Sequence, residues 1–287
     1  MSCTPKQDRG FSVEFSDGSA LGGADITFYD SSTCVLFLEK DLDITYAMGD
    51  PPDVVFTEFS VLVNEEIIYE GIIYPDMLWA APSPEPFYIS SFSYPVLEGS
   101  ILRFMHLGFF TETDDVRNDV RIINSLKKSN LLNSGLSCTI DSIWLSPTYD
   151  SVVHCTVTIV NNDPVSYYIP DPEKMGNGHF NYYTGGIVLK HIESDMYYHP
   201  EYPNSTVEWN HLEMGDLTLL DGRSCIKFTV ASSYYTEIPE GEYDCVYYYG
   251  TLRHIYSFNL ELKQPDGRIW IGECHSGGEF LLSTDQQ

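Results

Sequence analysis

The ten residues Gly241–Gly250 read GEYDCVYYYG, four tyrosines and a cysteine in one short run. At a period of two, Tyr243, Cys245, Tyr247 and Tyr249 fall on one side, and Asp244, Val246 and Tyr248 on the other. Successive side chains of a strand point to opposite faces of its sheet. The stretch therefore predicts a strand with a buried aromatic stripe and a wetter reverse face, on which only Tyr248 would be a surface contact. Ile238-Pro239-Glu240 ahead of it supplies turn chemistry.

The same rhythm runs outward in both directions. Short apolar runs broken by Gly, Pro, Asp and Asn predict strands at 11–15, 24–29, 34–39, 54–63, 66–73, 87–92 and 100–107. In the second half they predict strands at 142–144, 152–160, 165–169, 186–192, 206–212, 224–232 and 243–249. Tyr256, Phe258, Leu260 and Leu262 alternate with polar residues, and Gln264-Pro265-Asp266-Gly267 turns the chain toward Arg268–Gly272, a hairpin signature. Aromatic residues make up 14% of the chain, which favours strands because such side chains suit a pleated, half-buried surface.

One segment departs from this pattern. Val116, Val120, Ile123 and Lys127 follow helical spacing, with Glu112, Asp114 and Asp115 ahead and Lys127 and Lys128 behind, an order that suits the helix dipole. The expected plan is an all-β chain. A tail (1–10) precedes a sandwich (11–110), a short helical connector (111–135) and a second sandwich (136–287). The halves also resemble each other: Val96–Phe104 matches Leu219–Phe228, and Phe59–Pro75 matches Gly186–Pro203, the pattern of a tandem repeat.

With 42 acidic and 15 basic residues the net charge is −27, split evenly at −13 before Gly135 and −14 from there on. Such a charge opposes nucleic acid, which requires a basic footprint, and anionic membrane surfaces. It reads first as solubility through self-repulsion, with a basic protein partner, divalent cations or a salty environment as the sharper alternatives. The opening MSCTPKQDRG is not followed by a secretory apolar run, and the seven cysteines lack C-x-x-C spacing. A cytoplasmic, reducing setting with buried thiols and no structural zinc is the expectation.

Within the second half, VVHCTVTIVNNDPVSYYI, LTLLDGRSCIKFTV and IPEGEYDCVYYYG occur in an order that resembles immunoglobulin-like sandwiches. The resemblance spans about Val152–Gly250, with a fainter copy at Val35–Leu107. It is similar to that seen in the pro-regions of aspzincin metalloproteases and in small intracellular protease inhibitors. It implies that Tyr243, two residues before Cys245, is a corner tyrosine whose hydroxyl bonds nearby backbone. It places Cys155 and Cys245 near the strands that a disulfide joins in many such domains, a bond that a reducing setting opposes. It departs from the pattern in lacking a strand-C tryptophan, since Trp144 comes too early. It implies protease binding or inhibition, and the chain itself has no H-E-x-x-H.

No catalytic set emerges. His191–Glu193, His199–Glu201 and His211–Glu213 are His-x-acid pairs that could share a strand face, yet acid is abundant enough to make such pairs common. Cys274-His275-Ser276 would alternate faces in a strand, and GECHSGGEF reads as a glycine turn between terminal strands. Phosphate-cradling glycine motifs and EF-hand loops are absent. No cofactor and no metal are expected. What remains is aromatic side chains in polar stretches: Tyr197, Tyr198, Tyr202 and Trp209; Tyr182 and Tyr183; and Trp79. Rigid rings with few rotors make good contact residues. The expected function is a non-enzymatic acidic protein-interaction module that binds, or inhibits, a protease or another copy of itself. Carbohydrate binding through the same rings and self-assembly into a capsid-like or filament structure are the alternatives.

Overall fold

The computed structural model describes residues 10–40, 57–74, 87–90, 101–106, 114–201, 212–250 and 263–284. They are mostly strand, with few helical turns, so the chain is all-β. Compactness divides it into two units, Met1–Asn133 and Ser134–Gln287. Among the described residues no helix is long and apolar enough to cross a membrane.

The first unit contains β1 (Phe11–Phe15), β2 (Ala20–Leu21), β3 (Ile26–Asp30), β4 (Val35–Leu38), β5 (Thr57–Val63), β6 (Glu66–Tyr74), β7 (Phe87–Ser90) and β8 (Ile101–His106). Helix α1 (Val120–Lys128) and β9 (Leu132–Asn133) complete it. All nine strands join one sheet in the order β2-β1-β5-β6-β7-β8-β4-β3-β9. The sheet folds over on itself, because rings far apart in that order meet. Phe11 of β1 lies 6.3 Å from Tyr29 of β3, and Phe59 of β5 lies 5.7 Å from Phe104 of β8. Gly71 shows how tight this packing is: a Cβ there would stand 2.5 Å from the Phe87 carbonyl oxygen and 2.7 Å from the Phe59 ring.

Helix α1 forms where the charge order predicts one, capped by Asp119, whose side chain accepts from the Arg121 N–H. Its apolar phase differs from the expected one. Ile122 and Leu126 are buried, whereas Val120 is 67% exposed. Those two side chains belong to the core of the first unit, and the helix lies against β1, β5 and β9. The segment read as a connector thus packs as part of the first unit, because its i, i+4 apolar pair needs a surface to cover.

The second unit begins with β10 (Leu136–Leu145), β11 (Val152–Asn161) and β12 (Tyr167–Pro170), then helices α2 (Pro172–Met175) and α3 (Asn177–Thr184). There follow β13 (Gly186–His191), β14 (Tyr197–Tyr198), β15 (Leu217–Leu220), β16 (Cys225–Ser233) and β17 (Gly241–Gly250). The last three are β18 (Lys263–Gln264), β19 (Gly267–Ile269) and β20 (Glu273–Leu282). One sheet runs β10-β11-β16, a second β14-β13-β17-β20, and a third β15-β12-β19-β18. The first two share one core, in which Cys155, Val157 and Val230 meet Leu189, Tyr243, Cys245 and Tyr247. The stripe read from GEYDCVYYYG is there: all four of its residues are fully buried, and Asp244 is exposed behind them.

Polar groups fix the ends of this core. Asp163, buried in the Asn161-Asn162-Asp163-Pro164 turn, accepts from the Ser134 N–H (2.8 Å), the Gly135 N–H (2.9 Å) and the Tyr167 hydroxyl (2.5 Å). Asn161 donates to the carbonyls of Val165, Leu220 and Asp221. Helix α3 closes the open edge of β16: Asn177 Oδ1 accepts from the Ala231 N–H and Asn181 Nδ2 donates to the Ala231 carbonyl. A sheet edge so covered is not free to pair with another chain.

Two readings change here. Tyr182 and Tyr183, expected only as aromatic residues in a polar stretch, lie on helix α3; Asp171 caps the turn before it and left-handed Gly185 ends it. Gly277 and Gly278 do not turn the chain but sit inside β20, paired with Val246 and Cys245. Ten consecutive partners along β17 hold that strand extended in spite of its glycines. The expected strand at 206–212 and the first arm of the last hairpin lie almost wholly outside the described residues, while its turn appears as β18–β19.

The two units share part of their pairing. In each, a hairpin's second strand pairs antiparallel with a later strand: β3–β4–β8 in the first, β10–β11–β16 in the second. The matched segments fall accordingly, on β8 and β16 and on the hairpins β5–β6 and β13–β14. On the side away from its hairpin partner, β5 pairs antiparallel with the earlier β1, whereas β13 pairs antiparallel with the later β17.

Candidate functional site

Backbone hydrogen bonds gather four segments at one end of the second unit. The Tyr234 N–H donates to the Ser151 carbonyl and the Ile238 N–H to the Asp150 carbonyl, which joins the β10–β11 and β16–β17 loops. The Ile192 N–H donates to Glu242, and Glu201 to Ser233, which brings in the β13–β14 hairpin and the residues after it. The Leu145 N–H donates to Ser283, which adds the end of β20.

Apolar side chains crowd this end without being buried. Tyr149 is 64% exposed, Tyr235 73%, Tyr197 59% and Leu281 63%, and Ile192 and Met196 are exposed beside them. Of the other exposed large apolar residues described in this unit, only Val165 and Leu219 lie elsewhere. The same segments carry the exposed acidic residues Asp150, Glu193, Asp195, Glu201, Glu237, Glu240 and Glu242. Lys190 is the lysine described here, held 2.6 Å from Asp195 with its Nζ 5.4 Å from the Tyr197 ring centre.

The expected contact residues divide by burial. Tyr197 is on the surface, its ring stacked with His199 at 6.4 Å. Tyr198, opposite Leu189 on the inner face, is 9% exposed and packs against Tyr243. Tyr183 is fully buried on the inner side of α3, and Tyr182 is half-buried beside it. Packing accounts for Tyr198 and Tyr183. Trp79, Tyr202 and Trp209 lie outside the described residues. Tyr149 and Tyr235 were not singled out from the sequence. Each sits in a run of turn residues, Ser-Pro-Thr-Tyr-Asp and Ser-Ser-Tyr-Tyr-Thr, where a tyrosine has no alternating neighbours to bury it.

Of the groups that could suggest chemistry, His191 and Ser276 have structural partners. His191 Nδ1 accepts from the Ser194 N–H at 3.1 Å, closing the β13–β14 turn, and its ring meets Tyr243 edge-on. Ser276 Oγ accepts from the Ile140 N–H at 3.1 Å. Cys274 is buried and His275 exposed, on opposite faces of β20. Cys155 and Cys245 are both free and buried; burial raises both thiols, Cys245 to about 12. Among the described residues no three His, Cys, Asp or Glu side chains cluster as a metal site would require.

Comparison with known proteins gives no matching family model and no matching curated protein.

Proposed function

We propose that the chain is a non-enzymatic protein-interaction module whose partner docks on the Tyr149–Tyr235 end of the second unit. The observation that carries this reading is that six exposed apolar side chains lie on the segments that backbone hydrogen bonds bring together at one end of the second unit. Contiguous exposed apolar surface marks interaction sites in soluble proteins, and tyrosines supply much of the contact at such sites. The sheet orders β10-β11-β16 and β14-β13-β17-β20 support an immunoglobulin-like sandwich, in which loops at one end commonly do the binding. A protease is the partner class that the sequence resemblance implies, and blocking its cleft needs no catalytic group. Buried free thiols suit a reducing, cytoplasmic setting.

The test is affinity capture from the native source with the wild type and with a Tyr197→Ser/Tyr235→Ser variant. Loss of a specific partner at unchanged melting temperature is the expected result. Equal capture by both chains would overturn the assignment of this end.

A further inference from the structure

The charge at this end narrows the partner. Tyr149 is followed directly by exposed Asp150, and Tyr235 stands two residues from exposed Glu237. Both loops are tied together by the Ile238–Asp150 and Tyr234–Ser151 hydrogen bonds, so the two tyrosine–carboxylate sets belong to one surface. An acidic surface of this kind repels a second copy of the same end, nucleic acid and anionic lipid alike. A ring face beside a carboxylate is a receptor for a cation: the π quadrupole attracts the charge and the carboxylate neutralises it. A filled example of this arrangement lies among the described residues. Lys190 lies over Tyr197 and pairs with Asp195 at this same end.

We propose that the surface formed by Tyr149, Asp150, Tyr235 and Glu237 docks a lysine- or arginine-rich segment of a partner protein. This rests on the interaction reading above and names the chemistry of the partner. The cationic heads would take the positions over Tyr149 and Tyr235 that Lys190 takes over Tyr197. Arginine is the better fit, because its planar guanidinium both stacks on a ring and pairs with a carboxylate.

The probe is a nine-residue arginine peptide, with a glutamate nonamer for comparison, titrated calorimetrically into the full chain at low and high salt. Three variants separate local recognition from bulk charge. Tyr149→Ala/Tyr235→Ala leaves the net charge unchanged and should weaken binding tenfold or more. Tyr149→Phe/Tyr235→Phe keeps both ring faces and should bind within about twofold of wild type, which also guards against a folding defect. Glu58→Gln/Glu70→Gln removes two exposed charges from the first unit and should change binding less than twofold. The inference is overturned if the alanine variant binds like wild type. It is equally overturned if the first-unit variant loses as much as the alanine variant, since net charge alone then explains the binding. Dimerisation through the same tyrosines, seen by sedimentation, would also overturn it. In each case a partner captured through Tyr197 and Tyr235 would leave the interaction reading standing with a different partner class.

Discussion

The Tyr243 hydroxyl donates to the Pro239 carbonyl oxygen at 2.9 Å, four residues back along the chain. The bond ties the end of the β16–β17 loop to the strand that follows, and so holds the base of the loop that carries Tyr235. The ring itself is fully buried. Tyr243→Phe keeps the packing and deletes the bond. It should lower stability by about 1 kcal/mol, read as a lower urea midpoint at constant slope.

Asp163 is the hub at the other end of the same core, with three donors on one carboxylate. Asp163→Ala strands two backbone N–H groups and a buried hydroxyl together. A loss of about 3 kcal/mol is expected, large enough to show in chemical denaturation as early unfolding of the second unit.

Gly71 tests the first unit. Its missing side chain lets β6 lie against β7, and the nearest atom to an added Cβ is a backbone oxygen, which cannot swing aside. Gly71→Ala should destabilise by about 3 kcal/mol, the upper end of ordinary overpacking, and the first unit should melt earlier.

Thiol reactivity should follow burial. Cys225 is exposed, while Cys34, Cys138, Cys155, Cys245 and Cys274 are buried. Among these six, only Cys225 should react quickly with an aromatic disulfide reagent, and Cys225→Ser should remove that fast phase. The remaining five should react only in denaturant, because burial keeps the reagent from reaching them.

Acid should weaken the second unit through two histidines. Burial lowers the pKa of His154, and burial lowers that of His179 against a partial pull from Asp216. The unfolded chain then binds protons more readily than the folded one. The stability these groups contribute is complete above about pH 6.5 and is lost as pH falls through their lowered folded values. Melting of the wild type should drop between pH 7.5 and 5.5. His154→Gln should reduce that drop.

Most strands were legible because alternation is a local signal. The residues 11–15 and 66–73 name β1 and most of β6 directly. The Tyr243 corner was legible as well, since its bond spans four residues. Helix α3 was missed because Asn177 and Asn181 are poor helix formers; they are used for the edge of β16, a partner far along the chain. Gly277 and Gly278 misled for the same reason. Only the neighbouring β17 keeps them extended. The proposed docking end was half legible: Tyr197 was visible, but the loops of Tyr149 and Tyr235 become neighbours only when they are hydrogen-bonded together. Burial of Tyr183 and Tyr198 likewise depends on what lies across the core.

The source of the strand beside β5 has a consequence for how the chain is made. During synthesis β1 already exists when β5 emerges, so that side of β5 need never stand open. β13 emerges with its neighbour β17 still unmade, and must wait while β14, β15 and β16 are added. For that interval the nascent second unit exposes an unpaired edge and an unshielded Ile187–Leu189 face. In the first unit β4 waits in the same way for β8. Chaperone contact during translation, mapped by ribosome profiling, should therefore fall in two windows, between the completion of β4 and that of β8 and between the completion of β13 and that of β17.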